Sequence, residues 1–185
     1  MLILVIGLLV WVAAHFFKRL MPEQRAAMGD KGKGLVAVGV ILSLVLMIYG
    51  YRAAAFVPVW TPPAMLTGIN NLLMVFAFYV YGASAAKPAK VWIGTKLRHP
   101  QLTAVKIWAV AHLLVNGDVA SILLFGGMLA WAVASVILIN KAEGPWTPPP
   151  QAPARKEYVL IGITLVLVII VSTVHILLGV NPFGG

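Results

Sequence analysis

The sequence contains no cysteine and only five acidic residues, and each shortage excludes a class of site. Without cysteine, the chain cannot form disulfides, bind a metal through thiolate, use a cysteine nucleophile or hold haem iron through sulfur. None of the acidic residues lies inside a long apolar run, so a carboxylate-rich zinc or di-iron site is not expected. Metal chemistry, if present, must therefore depend on histidine.

Charge is also scarce, because charged residues make up 10% of the chain and hydrophobic residues 61%, with a mean hydropathy of +0.96. Such a chain has too little polar surface to cover a water-soluble globule. The net charge of +9 does not indicate a nucleic-acid partner, since the 14 basic residues lie in short segments between apolar runs. The composition predicts an all-α, polytopic integral membrane protein whose main partner is membrane lipid.

Six apolar runs are candidates for membrane-spanning helices. Crossing a hydrocarbon core of about 30 Å takes about 20 apolar residues, and five runs meet that requirement clearly. The sixth is short and would span only if it extended back to Leu97, with Lys106 reaching out to the interface. We predict a single transmembrane domain over residues 1–185, with helices near 2–17, 35–51, 65–86, 97–115, 119–139 and 158–178.

The distribution of lysine and arginine supports six crossings. Thirteen of the 14 basic residues fall in the first, third and fifth segments between helices, and Arg52 alone falls elsewhere. Because cytoplasmic loops are enriched in lysine and arginine, both termini are predicted on the non-cytoplasmic side. If the fourth helix did not cross, the third and fifth segments would lie on opposite faces and this agreement would be lost.

Two loops contain the tetrapeptide Trp-Thr-Pro-Pro, at residues 60–63 and 146–149. Tryptophan is typical of the membrane interface and proline stiffens loops, so we interpret both as interfacial loops. An inverted repeat of two three-helix halves is the alternative interpretation. The second copy lies within residues 143–155, which hold five prolines and are predicted to form an extended, solvent-exposed connector.

Three of the four histidines, His15, His112 and His175, lie inside apolar runs, whereas His99 sits at the basic interface. Ionisable groups at membrane depth are costly and usually face a bundle interior, a cofactor or a proton path. No two histidines have the four-residue spacing of a helical metal site. Imidazoles from different helices around an apolar cofactor, of which haem is the familiar case, remain one interpretation. Buried hydrogen-bonding histidines are the other.

Depth in the membrane sorts the possible histidine pairs. At about 1.5 Å per residue, His112 lies roughly 20 Å from the basic face on the fourth helix. His175 lies near the outer end of the sixth helix, whereas His15 lies towards the basic end of the first. Depth alone therefore favours His112 with His175, and a pair of His112 with His15 requires an oblique macrocycle or a tilted helix.

The turn Asn116-Gly117-Asp118 follows His112 by about one helical turn. Asp118 could bond an imidazole nitrogen or the partner of a haem propionate and so set the basicity of the histidine. The alternative is that Asp118 caps the N-terminus of the fifth helix, and both roles can coexist. Arg98 and Lys106 could pair with propionates or lipid phosphates, although snorkelling to the interface explains them equally simply.

A larger set of residues matches one known pattern. It comprises Arg98-His99-Pro100, Leu102, Trp108, His112-Leu113-Leu114, Asn116-Gly117-Asp118 and Leu124-Phe125-Gly126. The set resembles the core signature of the NnrU family, and the likeness extends to His15, Tyr51-Arg52 and His175. That family comprises bacterial membrane proteins associated with denitrification and nitric oxide metabolism. It is similar to the 15-cis-zeta-carotene isomerase of plants and cyanobacteria, in which histidines hold a b-type haem.

The resemblance implies haem b held by His15 and His112, with His99 as the partner in the Arg-His-Pro motif. We rank His15 above His175 as the second ligand and keep His175 as the alternative, with Asn116 and Asp118 as further candidate cofactor contacts. This pairing differs from the one that depth favours. The isomerase has a cysteine shortly before its matching histidine, but Ala109 occupies that stretch here. Ligand exchange to thiolate is therefore impossible in this chain.

The resemblance leads us to expect a haem b-binding protein of the bacterial inner membrane, connected with nitric oxide or nitrogen-oxide metabolism. A haem-dependent cis-trans isomerase of a carotenoid-like polyene is the enzymatic alternative. A non-catalytic membrane assembly or transport factor is a third class. The partners implied are an apolar polyene or nitrogen-oxide enzymes. The Arg-His-Pro run is also similar to a motif of membrane isoprenylcysteine methyltransferases, whose second charged cluster is absent here.

Overall fold

The computed structural model describes residues 1–85 and 88–183, and the secondary structure within those ranges is helical. Its helices are α1 (Leu2–Leu20), α2 (Pro22–Ala27), α3 (Gly29–Arg52), α4 (Met65–Gly82), α5 (Pro100–Val115), α6 (Val119–Glu143) and α7 (Ala154–Leu177). All but the short α2 and α5 are long and apolar enough to cross a membrane. The prediction of an all-α, polytopic membrane bundle is confirmed.

The start of α5 differs from the prediction. The helix begins at Pro100 and not at Leu97, so the extension that would have given it full length is wrong. Proline is favoured in the first helical turn but restricts the residue before it, and His99 accordingly has the non-helical angles φ −125° and ψ 68°. The 16 residues of α5 therefore rise about 24 Å.

Other helix ends also differ from the prediction. The first turns of α3 and α7 begin before the apolar runs, at Gly29 and Ala154, because an apolar run marks the part in lipid rather than the whole helix. Asp30 and Glu157 lie in these first turns, where a negative charge is favourable. In the other direction, α4 ends at Gly82. Ala86 and Lys87, which we assigned to the third helix and the basic loop after it, lie outside the described residues.

The principal helix contacts run in the order α3, α1, α6, α5, α4, α7. A core cluster at the α1, α3 and α6 contacts contains Leu4, Met47, Met128 and Trp131. A smaller cluster of Ala83, Val91 and Leu160 joins the end of α4 to the start of α7. Helices α1, α6, α5 and α4 thus each contact a helix on both sides, whereas α3 and α7 lie at the two ends of this order.

The close approach of α1 and α3 depends on two glycines. A Cβ atom at Gly7 would lie 2.8 Å from the Met47 nitrogen, and one at Gly50 would lie 2.8 Å from the Leu4 Cα atom. Small residues permit such backbone contacts between membrane helices. The glycines pair opposite ends of the two helices, so α1 and α3 run antiparallel.

The loops on the face opposite the basic one bind each other through backbone hydrogen bonds. The Val119 nitrogen donates to the Val57 oxygen at 3.0 Å, and the Val59 and Trp60 nitrogens donate to the Gly117 oxygen at 2.7 and 3.0 Å. These bonds join the α3–α4 loop to the α5–α6 turn.

The loops on the basic face are joined in the same way. The Lys90 nitrogen donates to the Pro150 oxygen at 2.9 Å, and the Ala152 nitrogen donates to the Lys90 oxygen at 2.7 Å. The α4–α5 and α6–α7 loops therefore share a face. This is the alternation that six crossings require, with α5 included. The proline-rich connector is largely exposed, as predicted, but it is also fastened to Lys90.

Candidate functional site: the intramembrane histidines

The three histidines within the apolar helices share one local geometry. In each, ring Nδ1 lies within hydrogen-bond distance of the carbonyl four residues earlier: His15 with Trp11 at 2.9 Å, His112 with Trp108 at 3.0 Å and His175 with Val171 at 2.8 Å. Because a carbonyl only accepts, Nδ1 carries the proton, and Nε2 of the neutral ring has a lone pair. Each imidazole thus presents Nε2 as its available ligand atom.

His112 lies near the end of α5 in an aromatic environment. Its ring centroid is 4.7 Å from that of Phe125 on α6 and 5.4 Å from that of Trp108. Trp108 and Phe125 also contact each other, at 5.1 Å. The Asn116 Nδ2 group donates to the His112 carbonyl at 2.8 Å and so closes the C-terminus of α5. His112 is therefore half-buried between α5 and α6. Its ring contacts Trp108 and Phe125, and its carbonyl is bonded by Asn116.

His175 lies at the same end of the bundle as His112. His112 lies about 5 Å from the end of α5, and His175 lies about 3 Å from the end of α7, on the same side of the bundle. Two Nε2 atoms from different helices thus occupy one end of the membrane-spanning region.

His15 lies nearer the basic face than His112 and forms a separate aromatic cluster. Its ring is 4.1 Å from Trp11 and 4.9 Å from Trp131 on α6. Trp131 follows Phe125 by six residues, which is about 9 Å along α6. His15 and His112 therefore contact α6 at different depths.

His99 is far from this region and belongs to the basic face. Its Nε2 group donates to the Asn140 Oδ1 atom at 2.8 Å, because the amide oxygen can only accept. His99 is the residue that precedes α5, and this bond ties the start of α5 to the last part of α6. The structure does not bring it together with the other three histidines.

Asp118 caps α6, as one of the two interpretations held. The Ser121 nitrogen donates to Asp118 Oδ1 at 3.1 Å, and the Ser121 hydroxyl donates to Asp118 Oδ2. Since that hydroxyl proton goes to the carboxylate, the Tyr51 hydroxyl donates to Ser121 Oγ, at 2.9 Å. Sequence reasoning missed Tyr51 and Ser121 as partners, although Ser121 stands at the third helical position, where a cap accepts its bond.

A family model, described as NnrU protein, matches residues 3–182 of the chain. The chain belongs to the NnrU family. The match includes the six apolar helices and all four histidines. Membership of the NnrU family suggests a membrane protein related to nitrogen oxides. The curated proteins and the solved structures compared with the chain contain no match.

A π-helical turn at Ile122–Gly126 interrupts α6 next to His112 in this NnrU family member. Such turns contain one extra residue and occur frequently at functional sites. The turn contains Phe125, which contacts His112 and also faces Tyr51 with ring centroids 6.1 Å apart. Apolar periodicity does not reveal this turn, because every residue in it is apolar or glycine.

The donor set suits a cofactor that needs few protein ligands. Within residues 1–85 and 88–183, no three histidine or acidic side chains cluster as an all-protein metal cage would require. Haem needs one or two axial imidazoles, and the free Nε2 atoms match that need. The buried Asn70 Oδ1 atom, about 8 Å into α4 from the His112 side, has no hydrogen-bond partner in the described structure. It is an acceptor that a bound group could use.

Proposed function

We propose that the chain is a haem b-binding protein of the bacterial inner membrane connected with nitric oxide or nitrogen-oxide metabolism, in which His112 would be the first histidine to hold the iron. The observation that carries the proposal is the free His112 Nε2 atom beside Trp108 and Phe125, with the imidazole of His175 at the same end of the bundle. The Trp108 carbonyl orients the ring and raises its basicity as a ligand. When bound, haem would supply an iron that can transfer an electron.

His175 is the better-placed second ligand, because it lies at the same end of the bundle as His112. His15 is the ligand that the family resemblance implies. Its contact with α6, however, lies about 9 Å nearer the basic face than the contact of His112 with α6. The proposal therefore assigns the second position to His175. His15 is the competing assignment, and the experiment must separate the two.

The optical spectrum of the full-length protein, purified in detergent after expression with ample haem, tests the cofactor. We expect a Soret band that is lost in His112→Ala. His99→Ala is the matched control, since His99 uses its Nε2 at the basic face and should leave the band intact. The lack of a Soret band in the wild-type protein would contradict the proposal and leave a non-catalytic assembly or transport factor as the function.

The second ligand is tested by the same spectrum in two single variants. We expect His175→Ala to lose the low-spin, bis-imidazole spectrum while His15→Ala keeps it. The opposite result would assign the second ligand to His15, as the resemblance implies. Circular dichroism of both variants shows whether each still has its full helix content.

An apolar groove favours a second candidate function, the isomerisation of a polyene. The groove lies between α1 and α6, has a volume of about 320 Å³, and is lined by Val5, Leu8, Leu9, Val12, Ile122, Leu123 and Gly127. A long apolar molecule could lie there in contact with lipid. Product analysis after incubation of the haem-loaded protein with a cis-carotene tests this candidate, since a nitrogen-oxide protein would leave the carotene unchanged.

A further inference from the structure

A cavity of about 220 Å³ lies on the basic face, between the α4–α5 and α6–α7 loops. Its wall includes Ser84, Lys90, Gly94, Arg98, Trp146 and Pro149. A single buried water needs only about 10–15 Å³ by this measure, so the cavity has room for a larger polar group. None of the histidines lines it, so the site is independent of the haem proposal.

The cavity is part of the fold rather than a gap between loose loops. Two backbone hydrogen bonds fasten Lys90 to Pro150 and Ala152, and they hold the proline-rich connector over the α4–α5 loop. Gly94 forms a tight part of the wall, since a Cβ atom there would lie 3.0 Å from the Ala83 carbonyl oxygen. The wall residues are thus fixed by contacts that do not involve a ligand.

The charge of the cavity is positive. Arg98 donates to the Gly144 carbonyl at 2.6 Å and lies 3.5 Å from the Glu143 carboxylate, which also pairs with Arg19 at 3.6 Å. Two arginines therefore share one carboxylate. Lys90, whose ammonium group donates to the Ser84 carbonyl, adds a further charge. A guanidinium has five N–H groups in a planar fork, which matches the oxygens of a phosphate.

The position of the cavity is that of lipid headgroups. Ser84 lies two residues after the end of α4, and Pro100 at the wall is the first residue of α5, so the cavity lies where apolar helices meet water. Trp146 is of the residue type that anchors membrane interfaces. Basic cavities between transmembrane helices on the cytoplasmic side are suited to anionic headgroups.

We propose that this cavity binds the phosphate group of an anionic phospholipid, with Arg98 and Lys90 as its cationic contacts. A soluble phosphate would satisfy the same chemistry. The lipid is the source that the position at the membrane interface favours, and the two sources can be separated by experiment.

Native mass spectrometry of the full-length protein in detergent, titrated with phosphatidylglycerol or phosphatidylcholine, tests the site. We expect saturable binding of about one phosphatidylglycerol that is preferred over phosphatidylcholine. Arg98→Gln and Lys90→Gln should each weaken it about ten- to 100-fold, since a hydrogen bond to a charged group is worth about 1.5–3 kcal/mol. Lys31→Gln is the matched control, because Lys31 is an exposed lysine on the basic side outside the cavity.

Two variants are needed because Arg98 also holds Gly144 and Glu143, whereas the Lys90 substitution leaves the backbone bonds in place. Circular dichroism checks that both keep their helix content. Equal weakening in Lys31→Gln would overturn the proposal, since it would show attraction to net charge alone. Binding of inorganic phosphate that is lost in both variants, with no preference for phosphatidylglycerol, would overturn the assignment to lipid.

Discussion

Asp118 connects three parts of the chain at the face opposite the basic one. Its carboxylate accepts two bonds from Ser121, and Ser121 in turn accepts the Tyr51 hydroxyl, so the turn after α5, the start of α6 and the end of α3 are joined. The carboxylate is buried, with 8% of its residue surface exposed. A buried charged group is tolerated when it is fully hydrogen-bonded, and Ser121 supplies those bonds.

Replacing Asp118 should therefore destabilise the protein. We expect Asp118→Ala to lower the free energy of unfolding by about 1–3 kcal/mol, because it removes an N-cap and leaves the Ser121 nitrogen without its partner. Unfolding in detergent mixtures, followed by circular dichroism, measures the change. Asp30→Ala is the control, since Asp30 is also in a first helical turn but is exposed and pairs only with Lys33. Equal losses in the two variants would contradict the role assigned to Asp118.

The sequence singles out the candidate ligands but not their surroundings. His15, His112 and His175 could be found because ionisable residues stand out in apolar runs. The Nδ1 bonds to Trp11, Trp108 and Val171 are also local, four residues away along a helix. Phe125 and Tyr51 belong to the family pattern, but their contacts and those of Trp131 could not be assigned, because these positions depend on how α3 and α6 pack. The sequence contains no periodic signal for that packing.

At the scale of the helices, apolar runs located the spans well and their ends poorly. Hydropathy measures which residues suit lipid, whereas a helix continues until its backbone bonds or a proline stop it. Thus α3 begins at Gly29, before its apolar run, whereas α5 begins only at Pro100. The consequence for the site is that Arg98 and His99 are loop residues. Both are therefore free to bind α6 and the connector after it.

The close contact between α1 and α3 predicts the effect of adding a single methyl group to α3. Gly50→Ala should lower the free energy of unfolding by about 1–3 kcal/mol. The new Cβ atom would clash with the Leu4 backbone, and neither helix can move away without losing contacts. Gly34→Ala, in the same helix, faces open space and should be neutral or stabilise the helix by up to about 1 kcal/mol. Thermal unfolding of both variants measures the difference. A similar fall in stability for the two would show that helix packing is not the cause.

At the scale of the whole molecule, the helix order could not be read from the sequence. Lipid tails are as apolar as leucine, so an apolar face does not reveal whether lipid or another helix covers it. The charge pattern did predict which loops share a face, and the bonds between Lys90 and the connector place two of the basic loops together as that pattern requires. The order α3, α1, α6, α5, α4, α7 follows instead from close approaches such as Gly7 against Met47.

The topology itself can be tested because the chain has no native cysteine. Single cysteines at Lys33, Phe56, Gln151 and Phe183, all exposed positions, report the side of each segment through a membrane-impermeant thiol reagent. Six crossings place Lys33 and Gln151 on one side, Phe56 and Phe183 on the other. The basic side should react in inverted vesicles, since positive loops face the cytoplasm.

The short α5 decides the outcome of that experiment. If it did not cross, every segment after it would change sides, so Gln151 would react together with Phe56 and Phe183 would react together with Lys33. We expect the six-crossing pattern, because the backbone bonds of Lys90 hold the two basic loops together and those of Gly117 hold the opposite pair. A helix that rises about 24 Å can then cross only if the bilayer thins locally or the loop residues at its ends enter the interface, as Arg98 and His99 are placed to do.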